Sequence, residues 1–329
     1  MTSRDVLLEV SDLKVHFPVD SVWARLRGAR PVRAVDGVSF SVERGSALGL
    51  VGESGCGKTT TGMAILRLVD HSSGRVVFDG ENLSDLDASA MLRFRRRIQV
   101  IFQDAYASLN PRMSIGDGLA EPLVIHGLFP GRRQERVRAL LDMVGLPSHF
   151  VHRYPHELSG GQLQRVTFAR ALAVEPELII CDEPVSALDV SIQAQIVNLL
   201  KDLQREFRLT YVFISHDLSV VRNLCDRVAV MYLGRIAEVA SRRQLYEGAV
   251  HPYTKALMSA VPIPDPDLEA TRERVILQGD LPSPSNPPSG CRFRTRCPVA
   301  VDRCGESIPE LREVNRGQWA ACSRISEFT

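Results

Sequence analysis

Lysine is scarce in this chain. Of 40 lysine and arginine residues in total, only Lys14, Lys58, Lys201 and Lys255 are lysines. Because arginine carries the general surface charge, each lysine is a candidate for a specific role. A large net charge is missing as well, since the 39 acidic residues leave a net charge of only +1. This balance gives no positive field of the kind that nucleic-acid binding depends on, so we expect no nucleic-acid partner.

The chain also lacks an apolar run that could span a bilayer, for which about 20 consecutive residues are needed. Residues Met1 to Val10 do not combine a basic region with a hydrophobic core, as a signal peptide would. We therefore expect the chain to stay in the cytoplasm. If it serves a membrane, we expect it to do so as a peripheral subunit.

Strand and helix patterns alternate along the chain, which predicts an α/β fold around a buried, mostly parallel sheet. The helical patterns cover 58–69, 190–207 and, with breaks, 113–175. Two short strands around a helix are predicted within 75–102. The other predicted strands are 6–17, 35–42, 47–51, 178–181, 211–214 and the hairpin-like pair 228–231 and 235–239.

Two segments depart from this alternation. Residues 18–33 form an arginine-rich insertion with Trp23, predicted to be a loop with a short helix. Residues 261–290 are rich in proline and serine, which predicts a linker. We therefore expect a main domain over 1–260 and a small cysteine-rich region over 291–329.

The run Gly-Glu-Ser-Gly-Cys-Gly-Lys-Thr, residues 52–59, matches the phosphate-binding pattern G-x-x-x-x-G-K-[ST]. The glycines let the backbone N–H groups point at phosphate oxygens, and the following helix adds its positive dipole end. Lys58 would supply a charge to the terminal phosphates and Thr59 a hydroxyl to Mg²⁺. The strand before and the helix after favour this interpretation over a chance glycine-rich turn. The predicted ATP-binding residues here are Gly52, Glu53, Ser54, Gly55, Cys56, Gly57, Lys58, Thr59 and Thr60.

An apolar strand at 178–181 leads into two carboxylates, Asp182 and Glu183. This arrangement is typical of a Walker B motif, in which Asp182 holds Mg²⁺ directly or through water. Glu183 would then polarise the attacking water. An acidic pair could also merely cap a strand, but its place downstream of a phosphate loop favours catalysis.

The pentapeptide Leu-Ser-Gly-Gly-Gln, residues 158–162, separates this chain from P-loop enzymes at large. Ser159 followed by two glycines predicts a helix start, and so a second phosphate-directed N-terminus. With these motifs the sequence resembles the ABC ATPase family, in which this pentapeptide is the signature. The resemblance implies a head-to-tail dimer, with ATP held between one P-loop and the partner's signature residues, Leu158, Ser159, Gly160, Gly161 and Gln162.

The resemblance also implies roles for single residues. Phe17 lies where an aromatic residue stacks on adenine, although it could equally be a core residue. Gln103 matches the Q-loop, which senses Mg²⁺ and the transmembrane partner, and His216 matches the switch histidine at the terminal phosphate. The implied catalytic residues are thus Glu183, His216 and Gln103, the Mg²⁺ ligands are Thr59, Gln103 and Asp182, and the D-loop is Ser186, Ala187, Leu188 and Asp189. Since no expected catalytic position is substituted, we expect an active ATPase.

The fold that the resemblance implies is an ABC ATPase nucleotide-binding domain. It has a P-loop core with a mostly parallel sheet, an antiparallel β subdomain and an α-helical subdomain at about 104–170. The cysteine-rich C-terminal region would be an extension of this domain.

Stretches such as 102–113, 181–195 and 251–257 look like those of oligopeptide and dipeptide importer ATPases, and of the second ATPase in particular. Ala105 is a small departure, because the family usually has proline there. The resemblance implies a motor at the cytoplasmic face of the membrane. Its partners would be a paralogous ATPase, two transmembrane permease subunits and, indirectly, an extracytoplasmic peptide-binding protein.

Two alternatives stay open. The same type of subunit could serve an importer of nickel or another solute, because selectivity lies in other chains. A soluble, non-transport ABC ATPase usually carries a long coiled-coil insertion or two cassettes, and neither is visible in this sequence.

Four cysteines, Cys291, Cys297, Cys304 and Cys322, lie close together in the C-terminal region. Disulfides are disfavoured in the cytosol, and the closely spaced pairs of a structural zinc site are absent. The proline after Cys297 is typical of a cluster ligand, and some members of the resembled family bind a [4Fe-4S] cluster here. We expect an iron–sulfur cluster, with Zn²⁺ or no metal as alternatives, and the nearby arginines Arg292, Arg294 and Arg296 could offset its negative charge.

Overall fold

The computed structural model describes residues 5–18, 30–262 and 274–327. Two predictions lie partly outside the described residues: 19–29 of the arginine-rich insertion with its short helix, and 263–273 of the linker. The described residues form two compact units. The first unit holds the described parts of Met1–Val42, Ala47–Ser84 and Ile214–Thr329, and the second holds Glu43–Ser46 and Asp85–Phe213.

Strands and helices alternate through most of the described chain, as predicted. The strands are β1 (Val6–Phe17), β2 (Val32–Glu43), β3 (Ala47–Val51), β4 (Ser73–Phe78), β5 (Glu81–Asn82), β6 (Ile98–Ile101), β7 (Leu178–Asp182), β8 (Thr210–Ser215), β9 (Arg227–Tyr232), β10 (Arg235–Ser241), β11 (Arg312–Asn315) and β12 (Gln318–Ala320). The helices are α1 (Lys58–Ile65), α2 (Ala88–Arg97), α3 (Ile115–Ile125), α4 (Arg133–Met143), α5 (Gly160–Leu172), α6 (Val190–Phe207), α7 (Leu218–Leu224), α8 (Arg242–Gly248) and α9 (Pro252–Ser259).

The first unit contains a four-stranded sheet in the order β2-β1-β4-β5. β1 pairs antiparallel with β4, with Leu8 opposite Phe78 and Val10 opposite Val76. These four side chains are buried, because alternate residues of a strand point to the same face of its sheet. The predicted strand over 6–17 is confirmed as β1.

A second set of strands in the first unit has the order β11-β12-β10-β9-β3. β3 pairs in parallel with β9, as the predicted parallel sheet requires. β9 and β10 are antiparallel and are joined by Leu233 and Gly234, both at positive φ, which is the backbone of a tight hairpin turn. β12 then pairs antiparallel with β10. This set is therefore mixed rather than mostly parallel, because a two-residue turn cannot make the crossover that a parallel pair needs.

The second unit contains the order β8-β7-β6, in which β6 and β7 are parallel. Helices α3, α4 and α5 lie within the region 113–175, whose helical character is confirmed. Their buried faces meet through Leu119, Leu123, Leu140, Leu141 and Phe168, none of which has measurable exposure. α6 has the predicted bounds of 190–207.

Some boundaries differ from the prediction. α1 ends at Ile65 instead of Val69, because Arg67 takes a left-handed backbone and the N–H groups of Leu68 and Val69 turn back to Met63 O. The short helices α7, α8 and α9 and the strands β11 and β12 were not predicted. None of the described helices has the length and the apolar composition that a membrane crossing requires.

Candidate functional site

The predicted phosphate loop lies between β3, which is buried along its whole length, and α1, which begins at Lys58. Gly57 takes φ 106° and a Cβ there would lie 2.2 Å from Ala34 O, so only glycine fits. Lys58 is 5% exposed, and its Nζ donates to Gly52 O at 2.9 Å and to Glu53 O at 3.1 Å. The loop thus curls around a buried ammonium group at a helix N-terminus.

The remaining residues of the loop differ in exposure. Ser54, Gly55 and Thr59 are exposed, while Gly52 and Cys56 are buried. Burial raises the pKa of the Cys56 thiol despite the nearby Lys58 ammonium, so the thiol stays neutral at physiological pH. Ser54, Gly55 and Thr59 are therefore the positions of the loop that are most open to solvent.

Two predicted residues of the first unit stand apart from the loop in sequence. Phe17, the last residue of β1, is 40% exposed and so is not a core residue. His216 is exposed and directly follows β8. Its neighbour Asp217 is a helix cap, because its Oδ1 accepts from the N–H groups of Ser219 and Val220 at the start of α7.

The second unit holds the predicted carboxylates at the end of β7. Asp182 is buried at 8% exposure, and Glu183 takes a left-handed backbone with φ 49°. A left-handed backbone is uncommon for a residue with a Cβ and is often found at functional sites. The chain therefore turns sharply at Glu183, immediately after the strand.

Gln103 is connected to this turn by a chain of hydrogen bonds. Gln103 Nε2 donates to Ser186 Oγ at 3.2 Å, and Ser186 Oγ donates to Glu183 O at 3.0 Å. The predicted Q-loop and D-loop residues thus meet beside Glu183. This contact was not predicted, because the two residues are 83 positions apart in the sequence and neither motif indicates that it contacts the other.

The predicted signature residues open α5. Ser159 is the N-cap residue, and it forms a capping box with Gln162: Ser159 Oγ accepts from Gln162 N, and Gln162 Oε1 accepts from Ser159 N at 3.0 Å. The predicted helix start is thereby confirmed. A Cβ on Gly161 would lie 2.6 Å from Ile192 Cγ2 of α6, so the absent side chain lets the two helices approach.

The D-loop leads into α6 in a similar way. Asp189 is the N-cap of α6, and its carboxylate accepts from Ile192 N at 3.0 Å. Hydrogen bonds from Ile192 N–H and the Ser191 hydroxyl lower the pKa of Asp189, so the cap is ionised at neutral pH. Gln193 braces the loop by donating to Val185 O and Leu188 O.

The four C-terminal cysteines belong to the first unit and line one narrow cavity of about 20 Å³. Among the described residues, no group of three or more His, Cys, Asp or Glu side chains is arranged to hold a metal ion. A space of this size holds about one water molecule. The described residues therefore show no site for a four-iron cluster.

Burial, together with the neighbouring thiols of Cys322, Cys297 and Cys304, raises the pKa of Cys291 to about 11. The thiols thus interact although they do not form a set of ligands. The nearby arginines bind elsewhere: Arg292 pairs with Asp36 and Arg296 with Glu53. Arg294 donates to Ser289. Arg292 and Arg296 thus each have a carboxylate partner, while the prediction that the three arginines offset a cluster's charge stays a prediction.

Two family profiles match this chain. "ABC transporter" covers residues 35–186, and "Oligopeptide/dipeptide transporter, C-terminal region" covers residues 237–304. The first range contains the phosphate loop and the carboxylates after β7. The second contains three of the four C-terminal cysteines.

Curated relatives match nearly the whole chain. The putative oligopeptide transport ATP-binding protein YkfD of Bacillus subtilis is 53% identical over 318 residues, which are 96% of this chain and 94% of the relative. The oligopeptide transport ATP-binding protein OppF of Salmonella typhimurium is 53% identical over 314 residues, 94% of this chain and 93% of the relative.

Solved structures share the fold. The dimeric ATP-binding cassette MJ0796, bound to ADP and Pi in a post-hydrolysis state, is similar with a TM-score of 0.64 and 29% identity. The match covers 72% of this chain and 99% of that one. The described chain therefore has the mixed α/β fold of an ATP-binding cassette.

Proposed function

Because this chain belongs to the ABC transporter family, we propose that it is the ATP-hydrolysing subunit of a bacterial importer of di- and oligopeptides. The observation that carries the proposal is the pair of phosphate-directed helix starts, at Lys58 in the first unit and at Ser159 in the second. The relatives named for oligopeptide transport cover more than nine-tenths of the chain, which supports peptides as the cargo.

The phosphate loop would bind the triphosphate of ATP. Lys58 Nζ now donates to carbonyl groups of its own loop, and phosphate oxygens would replace those weak partners with charged ones. The exposed Thr59 and the buried Asp182 offer the hard oxygen ligands that Mg²⁺ prefers. Bound Mg²⁺ would neutralise charge on the phosphates, and the exposed ring of Phe17 is available to stack on adenine.

Hydrolysis would depend on Glu183, His216 and Gln103. The left-handed turn fixes the direction of the Glu183 side chain as the chain leaves β7, so this carboxylate can orient and polarise a water. Gln103 is hydrogen-bonded to the Ser186 hydroxyl, which is itself bonded to Glu183 O. A change at the Q-loop would therefore reach the catalytic turn through two hydrogen bonds. His216 would contact the terminal phosphate.

The signature would act on a partner's ATP. The capping box at Ser159 consumes the N–H of Gln162, while the N–H groups of Gly160 and Gly161 stand at the first turn, where a helix has no internal acceptors for them. A phosphate is a suitable acceptor. The dimeric MJ0796 structure supports a head-to-tail pair, and we infer that the partner here is a paralogous ATPase.

The second unit would dock the permeases. A cavity of about 520 Å³ in this unit is lined by Phe102, Ala107, Pro122, Ile125 and Ala171 among others. Ile125, which lines the cavity, is 65% exposed and its neighbour Val124 is 56% exposed, so apolar surface is exposed at this end of α3. We infer that a cytoplasmic helix of a transmembrane permease subunit fills this cavity, so that the chain lies peripherally at the cytoplasmic face of the membrane.

The proposed division of labour along the chain is as follows. Residues 1–260 form the nucleotide-binding domain, with its helical part at about 104–170, and 261–290 link it to the cysteine-rich region 291–329. An extracytoplasmic peptide-binding protein would deliver peptide to the two permeases without touching this chain.

A [4Fe-4S] cluster at the four cysteines stays a prediction, with zinc or no metal as the alternatives. What supports it is that all four thiols face one cavity, and what opposes it is the small size of that cavity. Anaerobically purified protein should contain about four irons per chain if the cluster forms. Stoichiometric zinc without iron would contradict the cluster. The absence of both metals would indicate that the cysteines are ordinary thiols.

Co-purification tests the main proposal. The chain, extracted from native membranes in mild detergent, should bring down two multi-span permeases and a second P-loop ATPase. Ile125→Asp should lose the permeases while Leu92→Asp, at a comparably exposed apolar residue outside the cavity, should keep them. Recovery with ribosomal or DNA-repair partners would refute the transport assignment and leave the ATPase chemistry in place.

A further inference from the structure

A short C-terminal segment, residues 291–297, contacts the phosphate loop within the first unit. We call it the bridging segment, because a cysteine of the narrow cavity stands at each end, Cys291 and Cys297. Between them, Arg292, Phe293 and Arg296 face the nucleotide-binding core. Apart from the predicted offset of a cluster's charge by the two arginines, neither the motifs nor the family resemblance assigns a role to these three residues.

Arg296 forms an ion pair with Glu53, the second residue of the phosphate loop. Its Nη1 donates to both carboxylate oxygens of Glu53, at 3.1 and 2.8 Å. The side chains are 10% and 27% exposed. A charge-assisted pair that is so largely shielded from water is stronger than an exposed one, so it holds the Glu53 side chain in one place.

The same segment reaches the backbone of Glu53 through an aromatic cluster. Phe293 is buried and packs against Tyr253 with ring centroids 5.3 Å apart and against Tyr232 at 5.2 Å. The Tyr253 hydroxyl accepts a hydrogen bond from Glu53 N at 3.0 Å. Glu53 is therefore held at its side chain by the bridging segment and at its N–H by a residue packed on that segment.

Arg292 fixes the other end of the segment. Its guanidinium is buried and binds both Asp36 Oδ2 and Leu233 O. The adjacent Gly234 N donates to Cys56 O of the phosphate loop at 2.8 Å. The bridging segment is thus anchored beside the loop at two independent points.

Glu53 places a negative charge in a loop that has to bind a triphosphate. An isolated carboxylate there would repel the phosphates, since like charges at short range cost free energy in a partly shielded site. Arg296 neutralises this charge and keeps the Glu53 carboxylate from turning toward the phosphates. The bridging segment therefore supplies the positive charge that neutralises Glu53.

We propose that Arg296 is a positioning residue for the phosphate loop, and that through its ion pair with Glu53 the C-terminal segment sets the affinity of the protein for ATP. This inference rests on the proposed binding of ATP at residues 52–59. It assigns to the C-terminal region a role in nucleotide binding that does not depend on whether the cysteines hold a metal.

The test is a set of Mg-ATP affinities of the full chain, measured by titration calorimetry, with turnover measured in the presence of the partner ATPase. Arg296→Met should weaken ATP binding by at least about five-fold, which is the upper end for an exposed ion pair. Turnover at saturating ATP should change little, because Glu183 and its surroundings are untouched. Arg296→Lys keeps the charge and should retain most of the affinity.

A double variant separates this role from a general structural one. Glu53→Gln combined with Arg296→Met removes both charges, so it should recover most of the affinity lost in Arg296→Met. Arg294→Met is the matched control, since Arg294 lies on the same segment but donates to Ser289, and it should leave the affinity unchanged. No loss in Arg296→Met, an equal loss in Arg294→Met, or no recovery in the double variant would each overturn the proposal.

Lys58→Ala distinguishes a failure of the role proposed for Arg296 from a failure of the proposed ATP site. If Lys58→Ala loses ATP binding while Arg296→Met does not, only the role of Arg296 is refuted. If Lys58→Ala keeps full affinity, the proposed site itself is wrong. Melting temperatures of all variants without nucleotide show whether a loss of affinity reflects unfolding, and the recovery expected in the double variant cannot arise from an unfolded chain.

Discussion

At the scale of single residues, the phosphate loop and the turn after β7 are constrained in different ways. Lys58 is buried and satisfied by carbonyl groups of its own loop, whereas Glu183 is held in a left-handed backbone. The first arrangement is consistent with the proposed ATP site, which would then be preformed. The second aims one carboxylate, and such strain persists only where the surroundings enforce it.

This difference predicts that binding and hydrolysis can be separated. Glu183→Gln keeps the side-chain shape but removes the charge that polarises water, so hydrolysis should fall by about a hundred-fold or more while ATP affinity is retained. Lys58→Ala should instead reduce the affinity itself. Both are measured by calorimetry and single-turnover hydrolysis, and loss of ATP binding in Glu183→Gln with unchanged hydrolysis per bound ATP would contradict the assignment.

The residue types of the site could be predicted from the sequence because each motif is short and local. Gly57 and Lys58 lie in one pattern whose spacing alone dictates a curled loop. The contacts of Glu53 could not be predicted in this way, because Arg296 follows it by 243 positions. A signal existed in the stretch 251–257, which resembles peptide-importer ATPases and contains Tyr253, but only the fold brings its hydroxyl to the loop.

At the scale of elements, the start of α5 depends on its close approach to α6. A Cβ on Gly161 would come within 2.6 Å of Ile192 Cγ2, which is closer than side chains tolerate, so one of the two helices would have to shift. The N-terminus that the signature presents would shift with it.

Gly161→Ala should therefore lower partner-dependent ATPase activity by about ten-fold, as expected when a phosphate-binding group is displaced by a fraction of an ångström. Adding Ile192→Ala removes the obstructing methyl group and should recover much of the activity. Gly248→Ala is the control, since a Cβ there meets nothing within 4 Å. A failure of Ile192→Ala to relieve the defect would exclude the steric explanation.

Glu177 connects three elements of the second unit. Its carboxylate forms ion pairs with Arg97, at the end of α2, and with Arg44. Its backbone N–H donates to Arg97 O, and its carbonyl group accepts from Thr210 N at the start of β8. The hydrogen bond from Arg97 lowers the pKa of Glu177, with burial opposing it and Arg44 adding to the decrease.

Glu177→Gln should lower the free energy of unfolding by about 1 kcal/mol at neutral pH, the upper end for a partly exposed pair. Because the pKa is lowered on folding, this contribution is present at neutral pH and is lost as the pH falls through the folded pKa. Denaturant titrations of both proteins should therefore converge in acid. Glu175→Gln changes an exposed residue that has one partner, Arg136, and it should show little effect at any pH.

The elements with strong periodicity or a fully apolar run were predicted well, and several other short elements were not. α6 has an apolar stripe over 18 residues, so its bounds followed from the pattern. α7, α8 and β12 have three to seven residues each, too few for a period to emerge. α7 and α8 depend on the caps at Asp217 and Ser241, and β12 depends on its pairing with β10, which no local pattern encodes.

At the scale of the whole molecule, the predicted residues are divided between two units, with the phosphate loop and His216 in the first and the signature in the second. If each signature serves the ATP of a partner, one chain does not contain a complete site. The purified chain should then hydrolyse ATP slowly, and addition of its paralogue should raise turnover by at least about ten-fold. Full activity of the lone chain would indicate a homodimer instead.

The pairing of β12 with β10 has a consequence for any shortened form of the protein. In the described strand order, removal of the residues from Arg312 onward would turn β10 into an edge strand with a row of unpaired N–H and C=O groups. Such edges recruit strands from other chains and lead to aggregation. A cassette trimmed to residues 1–260 would keep every ATP-site motif, yet it would expose a template for self-association that the full chain covers with its own C-terminus.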